Sequence, residues 1–120
     1  MHQRRRNADD QRRKAWLAMR THKRFTSRDI ESTAGITFEN LKKYLKALRR
    51  SGYLMLERPR QSGKTMGHAI WRLVRCTGPL NPLPRWDGTG VWDQNEQKLY
   101  PYGEEGSDER RLARRTAESL

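Results

Sequence analysis

The sequence predicts an α+β fold: three helices, then a two-stranded β-hairpin, then an extended, partly irregular C-terminal tail. Three observations predict it. Residues 37–51 carry apolar side chains at helical spacing on one side and basic ones on the other. Two shorter amphipathic stretches precede them, each with a polar residue placed to cap a helix. From Tyr53 the chain changes to strand-forming residues, interrupted by a basic loop that contains glycine. With 120 residues and 33% hydrophobic content there is material for one small core and hardly for two.

Residues 1–8, MHQRRRNA, have no periodicity and nothing to bury, so they read as a basic flexible arm: a solubilising tail, or an arm that lies on phosphates or enters a minor groove. Asp9 or Asp10 is placed to cap a first helix running to about Thr21, with Ala15, Trp16 and Met19 on its inner stripe. Phe25-Thr26 opens a second helix. Thr26 with Asp29 three residues later resembles a capping box, Ile30 and Ala34 continue the inward face, and Gly35 ends it. Thr37 then caps the third helix, where Leu41, Tyr44, Leu45 and Leu48 share one face while Glu39, Lys42, Lys43, Lys46 and Arg50 share the other. Gly52 supplies the stop, because glycine readily takes the left-handed conformation that closes a helix.

Tyr53 to Arg58 reads as a strand and His68 to Arg75 as another, with PRQSGKTMG between them. Two helices joined by a short turn, the second of them basic, make a helix-turn-helix. Adding the first helix and the hairpin gives a winged helix over residues 9–77, in which the wing residues Arg58, Arg60 and Lys64 are placed to meet phosphate or a minor groove.

The residues Phe25-Thr26 to Asp29-Ile30, Gly35-Ile36-Thr37, Leu41 to Tyr44-Leu45, Leu48 and Gly52-Tyr53-Leu54 resemble the winged helix-turn-helix superfamily of transcriptional regulators. The tract through Trp71-Arg72-Leu73 to Thr77-Gly78-Pro79 also looks like small regulatory or DNA-associated proteins of Mu-like transposable phages and prophages. What the resemblance implies is DNA binding, often as a dimer, although many winged helices bind proteins or RNA instead. It carries no diagnostic motif for the phage group.

Composition changes from Cys76 onward, and residues 78–120 read as an extended, Pro- and aromatic-containing extension. Pro79, Pro82 and Pro84 exclude a helix or central strand there, and Ser107 or Asp108 is placed to cap a short terminal helix. Trp86, Val91, Trp92, Leu99, Tyr100 and Tyr102 are too aromatic for a plain linker. They either fold back over the helical domain or form a docking segment for another protein. The expectation for residues 79–120 is that deleting them abolishes such docking but leaves DNA binding largely intact.

Charge divides the chain in the same place. Residues 1–75 hold 20 Lys/Arg against 6 Asp/Glu, whereas residues 76–120 hold 6 against 8. The basic part is therefore the nucleic-acid part. Cys76 is the lone cysteine, which excludes an intrachain disulfide and a cysteine-based zinc site, and no run is apolar enough for a membrane span or a signal peptide. A cytoplasmic, nucleoid-associated protein is expected. The string Ser62-Gly63-Lys64-Thr65 lacks the earlier glycine of a phosphate-binding loop, since Arg58 stands there, and it leads into a strand. His2, His22 and His68 have no carboxylate or cysteine at ligand spacing, and neither Cys76 nor Ser62 has an identifiable base. No enzyme, metal or cofactor is expected.

The candidate site follows from the third helix entering a major groove of double-stranded DNA with its N-terminal end leading. Thr37, Asn40 and Lys43 are the candidates for base contacts, since an amide pairs with adenine and an ammonium donates to guanine acceptors. Lys42, Lys46, Arg49, Arg50 and, on the second helix, Arg28 are the candidates for phosphate contacts. Phe38 is read as packing against the second helix, with a thymine methyl as its alternative contact. Two other readings accompany this one. One is an architectural or accessory factor with little sequence preference. The other is a protein-interaction module that blocks a host factor. A homodimer has no seam in the sequence to announce it.

Overall fold

The computed structural model describes residues 2–61 and 68–103, the first seven as backbone alone. The described residues form a mixed α+β structure with three helices and two small antiparallel three-stranded sheets. The helices are α1 (His2–His22), α2 (Ser27–Ala34) and α3 (Phe38–Arg50). The first sheet joins β1 (Arg24–Phe25), β2 (Leu54–Arg58) and β3 (Ile70–Leu73) in the order β1-β3-β2. The second joins β4 (Leu83–Pro84), β5 (Gly90–Asp93) and β6 (Lys98–Pro101) in chain order.

Local chemistry sets the helix ends. Thr26 Oγ1 accepts from the Asp29 N–H while the Asp29 carboxylate accepts from the Thr26 N–H, and Gly35 closes α2 at φ 68°. Thr37 caps α3 by accepting from the Asn40 N–H. At the other end Gly52 turns left-handed at φ 89° and the Tyr53 N–H reaches back to the Leu48 carbonyl at 2.9 Å, which is the expected stop. The start of α1 differs from expectation. Asp9 and Asp10 do not cap it, because the helical backbone runs from His2 through the segment expected to be a separate arm. Asp10 instead pairs forward with Arg13 at 2.7 Å and Lys14 at 3.2 Å, one turn along the same helix.

The two-stranded hairpin is also revised. Lys23 adopts φ 63°, which turns the chain out of α1 so that Arg24 and Phe25 pair with Arg72 and Trp71 of β3. The hairpin thereby becomes a three-stranded sheet whose inner face includes the buried Phe25 ring. The tip of the β2–β3 connection, with Lys64, lies outside the described residues.

The larger correction concerns the C-terminal segment, whose described residues, up to 103, form a second sheet and not an irregular tail. Asp87 accepts from the N–H and hydroxyl of Thr89 to shape the β4–β5 turn, and Asp93 Oδ1 accepts from the N–H groups of Asn95 and Glu96 to shape the next. Pro84 sits on edge strand β4, where its missing N–H costs no interior ladder bond. The terminal helix expected from Ser107 or Asp108 lies outside the described residues.

This sheet folds back over the helices, which is one of the two arrangements expected for its aromatic residues. Val91 is fully buried in the same core as Trp16, Met19, Phe25, Ile30, Leu41, Tyr44, Leu48 and Tyr53, and Tyr100 and Tyr102 pack against it. The Tyr44 hydroxyl donates to the Pro82 carbonyl at 2.8 Å and the Tyr53 hydroxyl to Asp93 Oδ2 at 2.6 Å. Burial, the largest influence, raises both tyrosines well above the ordinary phenol range, so both keep the proton they donate. Trp16 adds a bond from Nε1 to the Gly78 carbonyl at 3.0 Å and stands edge-on to Tyr53, with ring centroids 5.9 Å apart. No helix among the described residues is long and apolar enough to cross a membrane.

Candidate nucleic-acid interface

The amphipathic division of α3 is realised in space. Leu41, Tyr44, Leu45, Ala47 and Leu48 are buried, so the helix is anchored along one side. Glu39, Lys42, Lys43 and Lys46 are exposed on the other, and Arg49 and Arg50 are half-buried beside them. Lys42 and Lys43 make no ion pair with any described residue. A lysine in that position keeps its full charge available to an incoming anion and gives up only water and counterions on binding.

The N-terminal end of α3 is braced by α1. Arg12 Nε donates to Asn40 Oδ1 at 2.7 Å, and Asn40 Nδ2 donates to Gln11 Oε1 at 3.2 Å. The same Gln11 oxygen accepts from the Thr37 N–H at 3.2 Å, and the Arg12 guanidinium lies 5.3 Å from the Tyr44 ring centroid. Asn40, a candidate base contact, therefore has both ends of its amide engaged within the fold. Thr37 is exposed, with its hydroxyl serving as the cap. Lys43 is exposed one turn further along.

The C-terminal end is braced by the second sheet. The Arg50 guanidinium lies 4.5 Å from the Tyr102 ring centroid, its Nε is buried with no hydrogen bond among the described residues, and its carbonyl accepts from the Gly103 N–H at 2.8 Å. Arg50 is thus stacked on an aromatic face, where a cation gains attraction from the ring. Arg75 is held in a similar way, 4.1 Å from the Tyr100 centroid and 5.8 Å from that of Tyr53, with Nη1 donating to the Ser51 carbonyl. Among the other predicted contacts, Arg28 is exposed on the first turn of α2, and Arg58 and Arg60 are exposed at and beyond the end of β2.

Sequence reasoning missed Arg12, which completes the brace, and the pair Arg24 and Arg72, which face each other across β1 and β3 on exposed positions. Arg24 is neutralised by Glu57, whereas Arg72 has no ion pair among the described residues. Only the β1 pairing places these residues together, so no local signal announced them. No cluster of three His, Cys, Asp or Glu residues suited to a metal ion occurs among the described residues.

The second sheet presents a different surface. Leu83, Trp92 and Leu99 are in register across its three strands, on the face opposite buried Val91. Leu83 and Leu99 are about two-fifths exposed, and Trp86 at the β4–β5 turn is 91% exposed. Arg85, two residues from Leu83, pairs with Asp87 at 3.5 Å, whereas the pair of Lys98 and Glu96, 3.3 Å apart, lies against Tyr100 on the other face.

Comparison with protein-family models, with curated proteins and with solved structures returned no match for this chain.

Proposed function

We propose that the chain is a double-stranded DNA-binding transcriptional regulator of winged-helix arrangement, with α3 in the major groove and the β2–β3 connection on the backbone or minor groove. The observation that supports this reading best is the solvent face of α3, where Lys42, Lys43 and Lys46 stand together on a helix anchored by five buried residues. An ordinary surface helix alternates charges and pairs them; this one has Glu39 in its first turn and only cations after it. Lys43 and Thr37 are assigned to base edges, and Lys42, Lys46, Arg49, Arg28, Arg58 and Arg60 to phosphates. Asn40 and Arg50, assigned from sequence to base and phosphate, act in this proposal as braces that fix the two ends of α3. Regulation of phage or prophage genes rests on the resemblance in sequence alone.

The test is selection of binding sites from random duplex DNA, followed by titration of the enriched duplex and an unrelated one at several salt concentrations. Lys42→Ala or Lys46→Ala should each weaken both duplexes alike and reduce the slope of log K against log salt by about one unit. Lys43→Ala should weaken the enriched duplex more than the unrelated one, by about 1 to 3 kcal/mol. Binding with no enriched motif would select the architectural reading. No binding at low salt would refute DNA binding altogether.

The apolar row on the second sheet supports a further element of the proposal, that two copies of the chain pair through it. The cation two residues from Leu83, Arg85, is paired with Asp87, so this face offers little to a polyanion and is where two strongly basic chains can meet with least repulsion. Pro84 and Pro101 blunt the two edge strands, so face-to-face packing is favoured over strand addition. Light scattering should find a dimer for the native chain and a folded monomer for Leu83→Lys/Leu99→Lys. A native chain that stays monomeric at its highest soluble concentration would reject the pairing and hand this face to a different protein, as the host-factor reading requires.

A further inference from the structure

Phe38 is the first residue of α3, and it is 55% exposed. Its position follows from the anchoring of the helix. Leu41, one turn on, faces the core, and Lys42, also one turn on, faces solvent, so position 38 lies on the boundary between the two. The sequence-based expectation was that the ring packs against α2. More than half of the residue is exposed to solvent, at the end of α3 that Gln11, Arg12 and Asn40 hold in place. A large apolar ring presented on a braced helix end, beside Lys42 and Lys43, which make no ion pair with any described residue, is suited to a ligand that offers an apolar group among negative charges.

Within a DNA major groove, that group is the C5-methyl of thymine; adenine, guanine and cytosine present hydrogen-bonding atoms there. Resting on the DNA-binding proposal above, we infer that Phe38 reads a thymine methyl and sets the sequence preference at one position of the site. The amide of Asn40, the other residue suited to reading an A·T pair, is already bonded to Arg12 and Gln11. Discrimination at this end of α3 therefore falls to an apolar contact, and Lys42 beside it supplies the phosphate contact that fixes register. Cytosine methylated at C5 offers the same group and should substitute for thymine, with its guanine partner, better than plain cytosine does.

The experiment replaces each thymine of the selected duplex with uracil, one at a time, which removes one methyl and leaves the hydrogen-bonding edge unchanged. The native protein should lose roughly three- to tenfold in affinity at one thymine and little elsewhere. Phe38→Ala should bind the unmodified duplex more weakly by a comparable factor and become indifferent to uracil at that position. Phe38→Leu should keep much of the discrimination. Because position 38 is exposed, melting curves of both variants should match that of the native protein, which separates lost contact from lost fold. A uracil penalty that persists unchanged in Phe38→Ala, or a motif with no uracil-sensitive position, overturns the inference while DNA binding stands. A folded protein that binds no duplex overturns both.

Discussion

A chain ending at Gly78 is expected to lose its cooperative fold, and not to survive as a trimmed DNA-binding domain as the sequence implied. The truncation removes Val91 from the core and strips the cover that Tyr100 and Tyr102 give it. It also removes the Pro82 carbonyl from the buried hydroxyl of Tyr44, Asp93 from that of Tyr53, and the ring on which Arg50 is stacked. Full burial of one large apolar side chain contributes about 1.5 to 3 kcal/mol, and the truncation removes one such residue, Val91, together with two partly buried aromatics, Tyr100 and Tyr102. A loss on the order of 5 kcal/mol is comparable to the whole stability of a small domain. Circular dichroism of residues 1–78 should show no cooperative melt at 37 °C. A transition within about 5 °C of the full chain would show that the second sheet is an accessory and not part of the core.

That expectation marks where the sequence was legible. The caps at Thr26, Gly35, Thr37 and Gly52 depend on residues within one turn, so they could be read directly, and all four hold. The two faces of α3 follow from a repeat of 3.6 residues and are equally local. What failed was non-local. The pairing of Arg24 and Phe25 with residues 71 and 72 requires the turn at Lys23, and β-propensity over two residues carries no signal. The second sheet did leave a trace in Asp87-Gly88, a turn pair between Leu83-Pro84 and Val91-Trp92, but the prolines drew attention to what the segment excludes. At the site, the lysine face was predictable because it needs only spacing. The fates of Asn40 and Arg50 were not, because their partners Arg12 and Tyr102 stand 28 and 52 residues away in the chain.

Asp93 is the residue through which this non-local structure should respond to acid. It is fully buried at the end of β5, and its two oxygens accept four hydrogen bonds: Oδ2 from the hydroxyls of Tyr53 and Thr77, both at 2.6 Å, and Oδ1 from the N–H groups of Asn95 and Glu96. Burial is the largest single influence on this carboxyl and alone would raise its pKa. The bonds from Thr77, Tyr53, Glu96 and Asn95 together outweigh burial and hold the pKa below its ordinary value. Because the folded state binds this proton less readily than the unfolded chain does, the stabilisation is fully present above about pH 4 and is lost as pH falls through the lower, folded-state value. Asp93→Asn keeps the shape but gives up the charge on all four bonds and replaces one acceptor with a donor. It should cost about 2 to 4 kcal/mol at pH 7. The same substitution should flatten the loss of stability below about pH 4, since its amide has no proton to gain. Denaturant midpoints measured from pH 7 to pH 2 on both proteins give the answer. Parallel curves would mean that other carboxylates govern acid unfolding, and an unchanged midpoint at pH 7 would mean that Asp93 does not join the second sheet to Tyr53.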